Sequence, residues 1–379
     1  MKQVKIIATT VFGLESIVKE ECEKLGFKDI EVENGKVEFT GDQEDLAKAN
    51  LWLRSAERVL IKLGEFKALT YEDVYQGMKK IDWENYLDED GKFIVNAKSV
   101  KSKLYSPRDL QSIGKKAIVD RLSKEYNKEW FKESDERYSL EISLLKDQAT
   151  VTLDSSGDGL HKRGYRTAQN EAPMKETLAS SLIYLSYWDK TRPLVDLFCG
   201  SGTILIEAAM MARNIAPGID RDFDFVHWKK YDKEIYKRVR AEALNSIDQD
   251  VELDILGFDI DRKAIKIARD NAYNAGVDDC IKFVTKDMKE VGLLNNFGVL
   301  ISNPPYGERI GEKEDLEEIY QSLQGLIYKL STWSFYIITN EKSLENKLNR
   351  RADRKRKLYN GRIEVDYYQF IGPNPDLLK

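Results

Sequence analysis

The spacing of apolar residues changes rhythm near residue 170. Before that point, alternating runs and amphipathic stretches are mixed. Val4–Ala8 predicts a strand, and Gly13–Leu25 predicts a helix stopped by Gly26. Asp29–Val32 and Lys36–Phe39 flank Asn34-Gly35, a dipeptide that favours a two-residue hairpin turn. Gln43–Leu53 predicts a helix and Arg58–Phe66 a strand. The order strand, helix, hairpin, helix, strand is that of a ferredoxin-like α+β unit. A second segment follows, with helix Tyr71–Lys80, strand Phe93–Lys98, helix Arg108–Tyr126, and strands Tyr138–Leu144 and Gln148–Leu153 joined at Lys146-Asp147. In the long helix Leu110, Ile113, Ala117, Ile118, Arg121 and Leu122 fall on one stripe, which leaves Lys115, Lys116 and Lys124 outside.

Beyond a basic linker, His161–Arg166, strands and helices alternate. Helix Lys175–Trp188 precedes strand Pro193–Phe198 and helix Thr203–Arg213. Strand Leu253–Asp259, helix Arg262–Ala275, strands Ile281–Thr285 and Gly298–Ile301, helix Lys313–Leu330 and strand Ser334–Thr339 come next. The last pair, Arg356–Tyr359 and Ile363–Ile371, meets at Asn360-Gly361. This alternation, closed by a hairpin, predicts an α/β fold built on a mostly parallel, doubly wound, Rossmann-like sheet. Residues 214–254 break the rhythm with charged and aromatic residues. They read as an insertion over the edge or the active face of that sheet. The expected boundaries are 1–66 for the first unit, 67–160 for the second and 161–379 for the α/β domain.

Composition narrows the class. The 379 residues contain no uncharged apolar run of 18, so no membrane span is expected. Lys5 and Glu15 interrupt the first apolar stretch, against a secretory signal. Three cysteines (Cys22, Cys199, Cys280) and two histidines are too few and too scattered for a disulfide framework or a metal centre. A reducing cytoplasm and no metal are the expectation. The net charge of -5, from 60 basic and 65 acidic residues, is not that of an obvious nucleic-acid binder. The distribution says more. Residues 96–132 hold ten Lys/Arg against four Asp/Glu, and residues 350–357 hold six against one. Such patches suit a protein that meets phosphates on one face, or they are solvated helix faces.

Four strand ends carry chemistry. Asp196-Leu197-Phe198-Cys199-Gly200-Ser201-Gly202-Thr203 is a strand end, a glycine turn and a helix start. Ligands of open α/β sheets bind at such ends. Position 205 is Leu, so the third glycine of a dinucleotide fingerprint is missing. Asp196 would repel a phosphate but suits an ammonium, which favours a ligand with an amino-acid end over NAD. In Gly257-Phe258-Asp259-Ile260-Asp261, Asp259 can accept hydrogen bonds from a ribose diol, while Asp261 can cap the next helix. In Lys286-Asp287-Met288, Asp287 can accept from an adenine amine or be a surface turn acid. In Asn303-Pro304-Pro305-Tyr306-Gly307, prolines stiffen the backbone and lack N–H donors. The Asn303 side-chain oxygen and the Pro304 carbonyl can accept both protons of a planar exocyclic amine, and Tyr306 offers a stacking face.

In this order the four motifs resemble class I S-adenosylmethionine-dependent methyltransferases of the amino-methylating type, over roughly 165–379. The N-terminal part resembles a THUMP domain, an RNA-binding module. His161–Arg166 followed by Ala172-Pro173-Met174-Lys175-Glu176-Thr177 is similar to the linker and first methyltransferase motif of that family. The chain thus resembles THUMP-containing RNA guanine-N2 methyltransferases, nearest the bacterial 23S ribosomal RNA subgroup. Members fused to a second methyltransferase module would match in their first half alone. The resemblance implies S-adenosylmethionine as cofactor. Asp196, Gly200 and Gly202 would surround its methionine part, with Phe198 and Thr203 in the same turn and Pro173 and Glu176 beside it. Asp259 would hold the ribose, Ile260 would pack on adenine and Asp287 would contact its amine. Asn303, Pro304, Pro305 and Tyr306 would hold the target base, Asn303 also bordering the cofactor. RNA would be gripped by Lys98, Lys101, Lys103, Arg108, Lys115 and Lys116. Transfer RNA as substrate, adenine-N6 methylation, and a non-catalytic RNA-binding or assembly role are the competing expectations. Oligomeric state is left open.

Overall fold

The computed structural model describes residues 3–133, 136–166, 174–293, 296–305 and 313–373. The chain divides into two units. One comprises Met1–Thr10, Val18–Leu160 and Arg221–Glu242; the other comprises Val11–Ile17, His161–Asp220 and Ala243–Lys379.

In chain order the first half runs β1 (Val4–Thr9), α1 (Glu15–Lys24), β2 (Lys28–Glu33), β3 (Lys36–Gly41), α2 (Gln43–Trp52), β4 (Arg58–Lys67), α3 (Tyr71–Lys79), β5 (Lys92–Val100), α4 (Pro107–Tyr126), β6 (Arg137–Leu145) and β7 (Gln148–Asp154). The Asn34-Gly35 turn closes β2 onto β3 with Glu33 opposite Lys36, as its type requires. All seven strands form one sheet, ordered β2-β3-β1-β4-β7-β6-β5. Antiparallel pairing of β4 with β7 joins the ferredoxin-like strands to those that follow.

Helix α4 starts at an N-cap, Ser106, followed by Pro107, and ends at a left-handed Asn127. Its buried stripe is Leu110, Gly114, Ala117, Ile118 and Leu122. Arg121, expected in that stripe, turns its guanidinium to Asp82, Glu84 and Glu125. A long side chain can lie along an apolar face and still deliver its charge to acids at the rim.

The second half runs α5 (Glu176–Tyr184), β8 (Leu194–Asp196), α6 (Thr203–Ala212), α7 (Asp224–His227), α8 (Lys233–Asn245), β9 (Ile255–Asp259), α9 (Arg262–Asn274), β10 (Ile281–Thr285), β11 (Val299–Ser302), α10 (Lys313–Lys329), β12 (Ser334–Thr339), α11 (Leu344–Lys347), β13 (Arg354–Asn360) and β14 (Ile363–Phe370). The second sheet is ordered β10-β9-β8-β11-β12-β14-β13. Its first five strands are parallel and the last two form the antiparallel hairpin.

The sheet is covered on both faces, because successive strand residues point to opposite sides. At β9 and β10, Gly257 and Phe283 approach Leu205 of α6. Phe258 instead joins the cluster of Val195, Leu300, Phe335, Ile337 and Tyr368 with α10 residues Tyr320, Leu323 and Ile327. The doubly wound sheet expected from the alternation is present. Helix α5 ends at Tyr184, short of the expected Trp188, and α11 is an element the periodicity did not reveal.

The insertion at 214–254 is divided between the two units. Its middle, Arg221–Glu242, belongs to the first unit. Trp228 stacks on Tyr138 at 5.4 Å between ring centroids and donates to the Arg137 carbonyl. The Tyr231 hydroxyl donates to the Gln43 carbonyl. Arg221 donates to the backbone carbonyls of Ser156, Asp158 and Gly159. The aromatic area and donors of this middle stretch pack within the first unit.

Candidate active site

The strand order reverses direction between β8 and β11, where open α/β sheets form their ligand crevice. β8 stops at Asp196 because its carboxylate turns back on the chain and accepts from Phe198 N at 3.0 Å. The same oxygen, Oδ1, accepts from the Ser302 hydroxyl at 2.8 Å. Ser302 Oγ in turn accepts from Leu197 N at 2.9 Å. Ser302 ends β11 and precedes Asn303, so the glycine-turn and Asn-Pro-Pro motifs meet through one fully buried hydroxyl. Burial pushes the Asp196 carboxyl up to about 7, against the two hydrogen bonds it receives. A cation arriving there would favour its ionised form.

The glycine turn is built for close approach. Gly202 sits at φ +82, where a Cβ would stand 2.9 Å from Phe283 and 3.1 Å from Ala268. Gly200, at φ +53, would direct a Cβ into open space. Its N–H donates to Asp259 Oδ2 at 2.9 Å, while Asp259 Oδ1 accepts from Asp261 N at 2.9 Å. Each Asp259 oxygen therefore keeps acceptor capacity. Burial raises the Asp259 carboxyl above its ordinary value. Asp261 takes the capping role, accepting from Lys263 N. Ile260 is 71% exposed at the same strand end, an apolar surface awaiting a partner. Asp287 closes its own turn by accepting from Lys289 N, and Lys286 N bonds to the Asp259 carbonyl.

Thr203 and Glu176 open helices α6 and α5, and Arg166 ties them together. Its Nη2 donates to Thr203 Oγ1 at 2.7 Å and to the Met174 carbonyl at 3.1 Å, and lies 3.3 Å from Glu176 Oε1. Glu176 is buried, and burial pushes its carboxyl up to about 7 despite Arg166. Beneath them Arg163 pairs with Glu207, which also accepts from Ser180 and Tyr165. The sequence reading passed over Arg166, Ser302 and the Arg163–Glu207 pair. The one signal for them was a lone glutamate inside the apolar helix Thr203–Ala212.

Asn303 Oδ1 is buried and has no hydrogen-bond partner among the described residues. Pro304 is buried and Pro305 half-buried. Pro173 and Tyr306 lie outside the described residues. The residues present fit S-adenosylmethionine. Carboxylates face the turn, Gly200 leaves open space, Ile260 is exposed and, among the described residues, Glu176 Oε2 has no partner. Among the described residues no group of three or more His, Cys, Asp or Glu is placed to hold a metal ion, and no helix is long and apolar enough to cross a membrane.

In the first unit Lys98, Lys101, Lys103, Arg108, Lys115 and Lys116 are all exposed. Lys98 pairs with Glu141 and Lys115 with Glu133. Lys115 also lies over the Phe93 ring and Lys116 over the Tyr75 ring. The lysines are thus unequal, two of them being partly neutralised by acids.

Residues 163–369 match the UPF0020 family, described as the RMKL-like methyltransferase domain. Residues 5–60 match the RlmL ferredoxin-like domain and 68–154 the THUMP domain. The protein YpsC of Bacillus subtilis (strain 168) is 46% identical over 98% of this chain and 96% of its own length. The ribosomal RNA large subunit methyltransferase K/L of Psychromonas ingrahamii is 38% identical over 94% of this chain, which spans 48% of that enzyme. The crystal structure of SMU.472 complexed with S-adenosylhomocysteine (SAH) has a TM-score of 0.94 at 46% identity, covering 99% of each chain. That of a Listeria monocytogenes str. 4b F2365 protein, described as a predicted N6-adenine-specific DNA methylase, has a TM-score of 0.94 at 44% identity, covering 98% and 97%. With these matches, the chain belongs to the UPF0020, RMKL-like family of RNA methyltransferases and carries an RlmL-type ferredoxin-like unit and a THUMP domain.

Proposed function

We propose that the protein methylates the exocyclic N2 amine of a guanosine in RNA, with 23S ribosomal RNA as the leading target and the cytoplasm as the place of action. The observation that carries this reading is Asn303 Oδ1, a buried acceptor without a partner among the described residues, one residue from the hydroxyl that contacts Asp196 at the glycine turn. When bound, S-adenosylmethionine supplies a methyl group already activated on a sulfonium. The protein's task is then chiefly positioning. Asn303 Oδ1 and the Pro304 carbonyl accept the two amine protons, which turns the nitrogen lone pair toward the donor. As the nitrogen gained the methyl and the methyl–sulfur bond broke, its electron pair leaving on the neutral thioether, positive charge would grow on the nitrogen and both acceptors would bind its protons more strongly. One proton then leaves the cationic nitrogen to water. Glu176 and Asp196 face the cofactor's amino-acid end and Asp259 its ribose. The name of the Psychromonas relative supports ribosomal RNA.

Adenine N6 is the second reading, favoured by the description of the Listeria neighbour. One experiment separates the readings. Nucleosides from ribosomal and transfer RNA of cells lacking the protein are compared by mass spectrometry with those of parent cells. Loss of N2-methylguanosine from 23S RNA is expected. Loss of N6-methyladenosine instead, or no loss, would overturn the assignment.

Two mutational results follow. Asp259→Ala should weaken SAH binding roughly ten- to hundredfold, the range for hydrogen bonds to a charged group. Calorimetry reads this directly, and unchanged affinity would move ribose recognition elsewhere. Replacing Lys101, Lys103 and Arg108 together by Gln should lower the slope of log affinity for RNA against log salt by about two to three. An unaltered slope would remove these three from the RNA surface.

A further inference from the structure

The amino-acid end of the cofactor carries an ammonium and a carboxylate. Asp196 at the end of β8 and Glu176 at the start of α5 suit the cation, and Asp259 at the end of β9 adds a third acid nearby. A carboxylate among these acids needs a dedicated donor. Arg163 is not available for it. Its side chain is 2% exposed and committed to Glu207.

Arg166 differs. Its Nη2 is occupied by Thr203, Met174 and Glu176, but its Nε is buried with no acceptor among the described residues. An unpaired buried guanidinium N–H is unfavourable unless something supplies an acceptor. The two side chains Arg166 joins are the first residues of α6 and α5. Neither helix has a side-chain cap, since Gly202 and Lys175 occupy the N-cap positions without such a bond. Both helix starts add positive potential where Arg166 sits. Glu176, its partner, keeps Oε2 buried and unpaired. Arg166 and Glu176 are of opposite charge, and each keeps a buried polar atom, Nε and Oε2, without a partner among the described residues. That pattern is complementary to a zwitterion.

We propose that Arg166 receives the carboxylate of the cofactor's amino-acid end, with the free oxygen of Glu176 receiving the ammonium. Arg166 is then a specificity-determining residue for the amino-acid part of the ligand. A purely structural Arg166, stapling the linker to α5 and α6, would serve every ligand alike.

The test uses the full chain and two probes. SAH carries the amino-acid end; 5′-deoxy-5′-methylthioadenosine has the same nucleoside and thioether without it. By calorimetry, Arg166→Gln should weaken SAH about tenfold or more while methylthioadenosine stays within about twofold. Arg166→Lys keeps a charge opposite Glu176 but lacks the planar fork, so it should fall between the parent and Arg166→Gln for SAH alone. If Arg166→Gln does not fold, Arg166→Lys carries the same comparison. Equal weakening of both probes, or unchanged SAH affinity, overturns the proposal. The readout is independent of the methylated base, so its failure leaves the guanosine reading standing.

Discussion

Asn303→Ala lowers the rate of methyl transfer about a hundredfold or more while changing SAH affinity less than about threefold. The reason is the unpaired Oδ1. Its interaction with the amine strengthens as the nitrogen becomes cationic, so its removal weakens the transition state more than the ground state. Single-turnover transfer to RNA gives the rate and calorimetry the affinity. Asn303→Asp restores an acceptor at the same place and should recover part of the loss. A parent rate for the alanine variant would end the amine-orienting role.

Glu207→Ala destabilises the protein by about 3–5 kcal/mol, the usual result of stranding one member of a buried ion pair. Glu207 is fully buried and accepts from Arg163, Ser180 and Tyr165. Burial alone would lower the Arg163 pKa, yet the neighbouring Glu207 and Glu176 hold it above its ordinary value. Without Glu207 that buried cation loses the carboxylate it bonds. Calorimetric unfolding should show the melting transition falling by roughly 6–20 °C. Adding Arg163→Met should recover much of the fall, because no charge is then left stranded. A double variant as unstable as the single one would show that lost packing, not lost pairing, sets the effect.

What the sequence made legible was periodic or local. The alternation of β8, α6, β9, α9 and β10 follows from apolar spacing, and the β2–β3 hairpin from Asn34-Gly35, whereas the β13–β14 loop falls one residue later than expected, at Gly361-Arg362. The four strand-end motifs were readable because each packs its chemistry into a few consecutive residues. Ser302 was overlooked because a small hydroxyl ending an apolar run has no pattern of its own. Its partner Asp196 lies 106 residues away. Arg163 and Glu207 are 44 residues apart, and nothing in either neighbourhood specifies the other. The packing of the insertion's middle was unreadable for the same reason. Trp228 stacks on Tyr138, far back in the chain, and no periodicity reveals such a pairing. Arg121 failed differently, since a stripe records where a Cβ points and not where a long side chain ends.

The unbroken run of seven strands from β2 to β5 bears on how this architecture is inherited. Severing the chain after residue 66 would strip β4 from β7 and leave each with a bare row of amide and carbonyl groups. Such edges recruit strands from other molecules. A chimera spliced at that apparent seam is therefore expected to pair with its own copies.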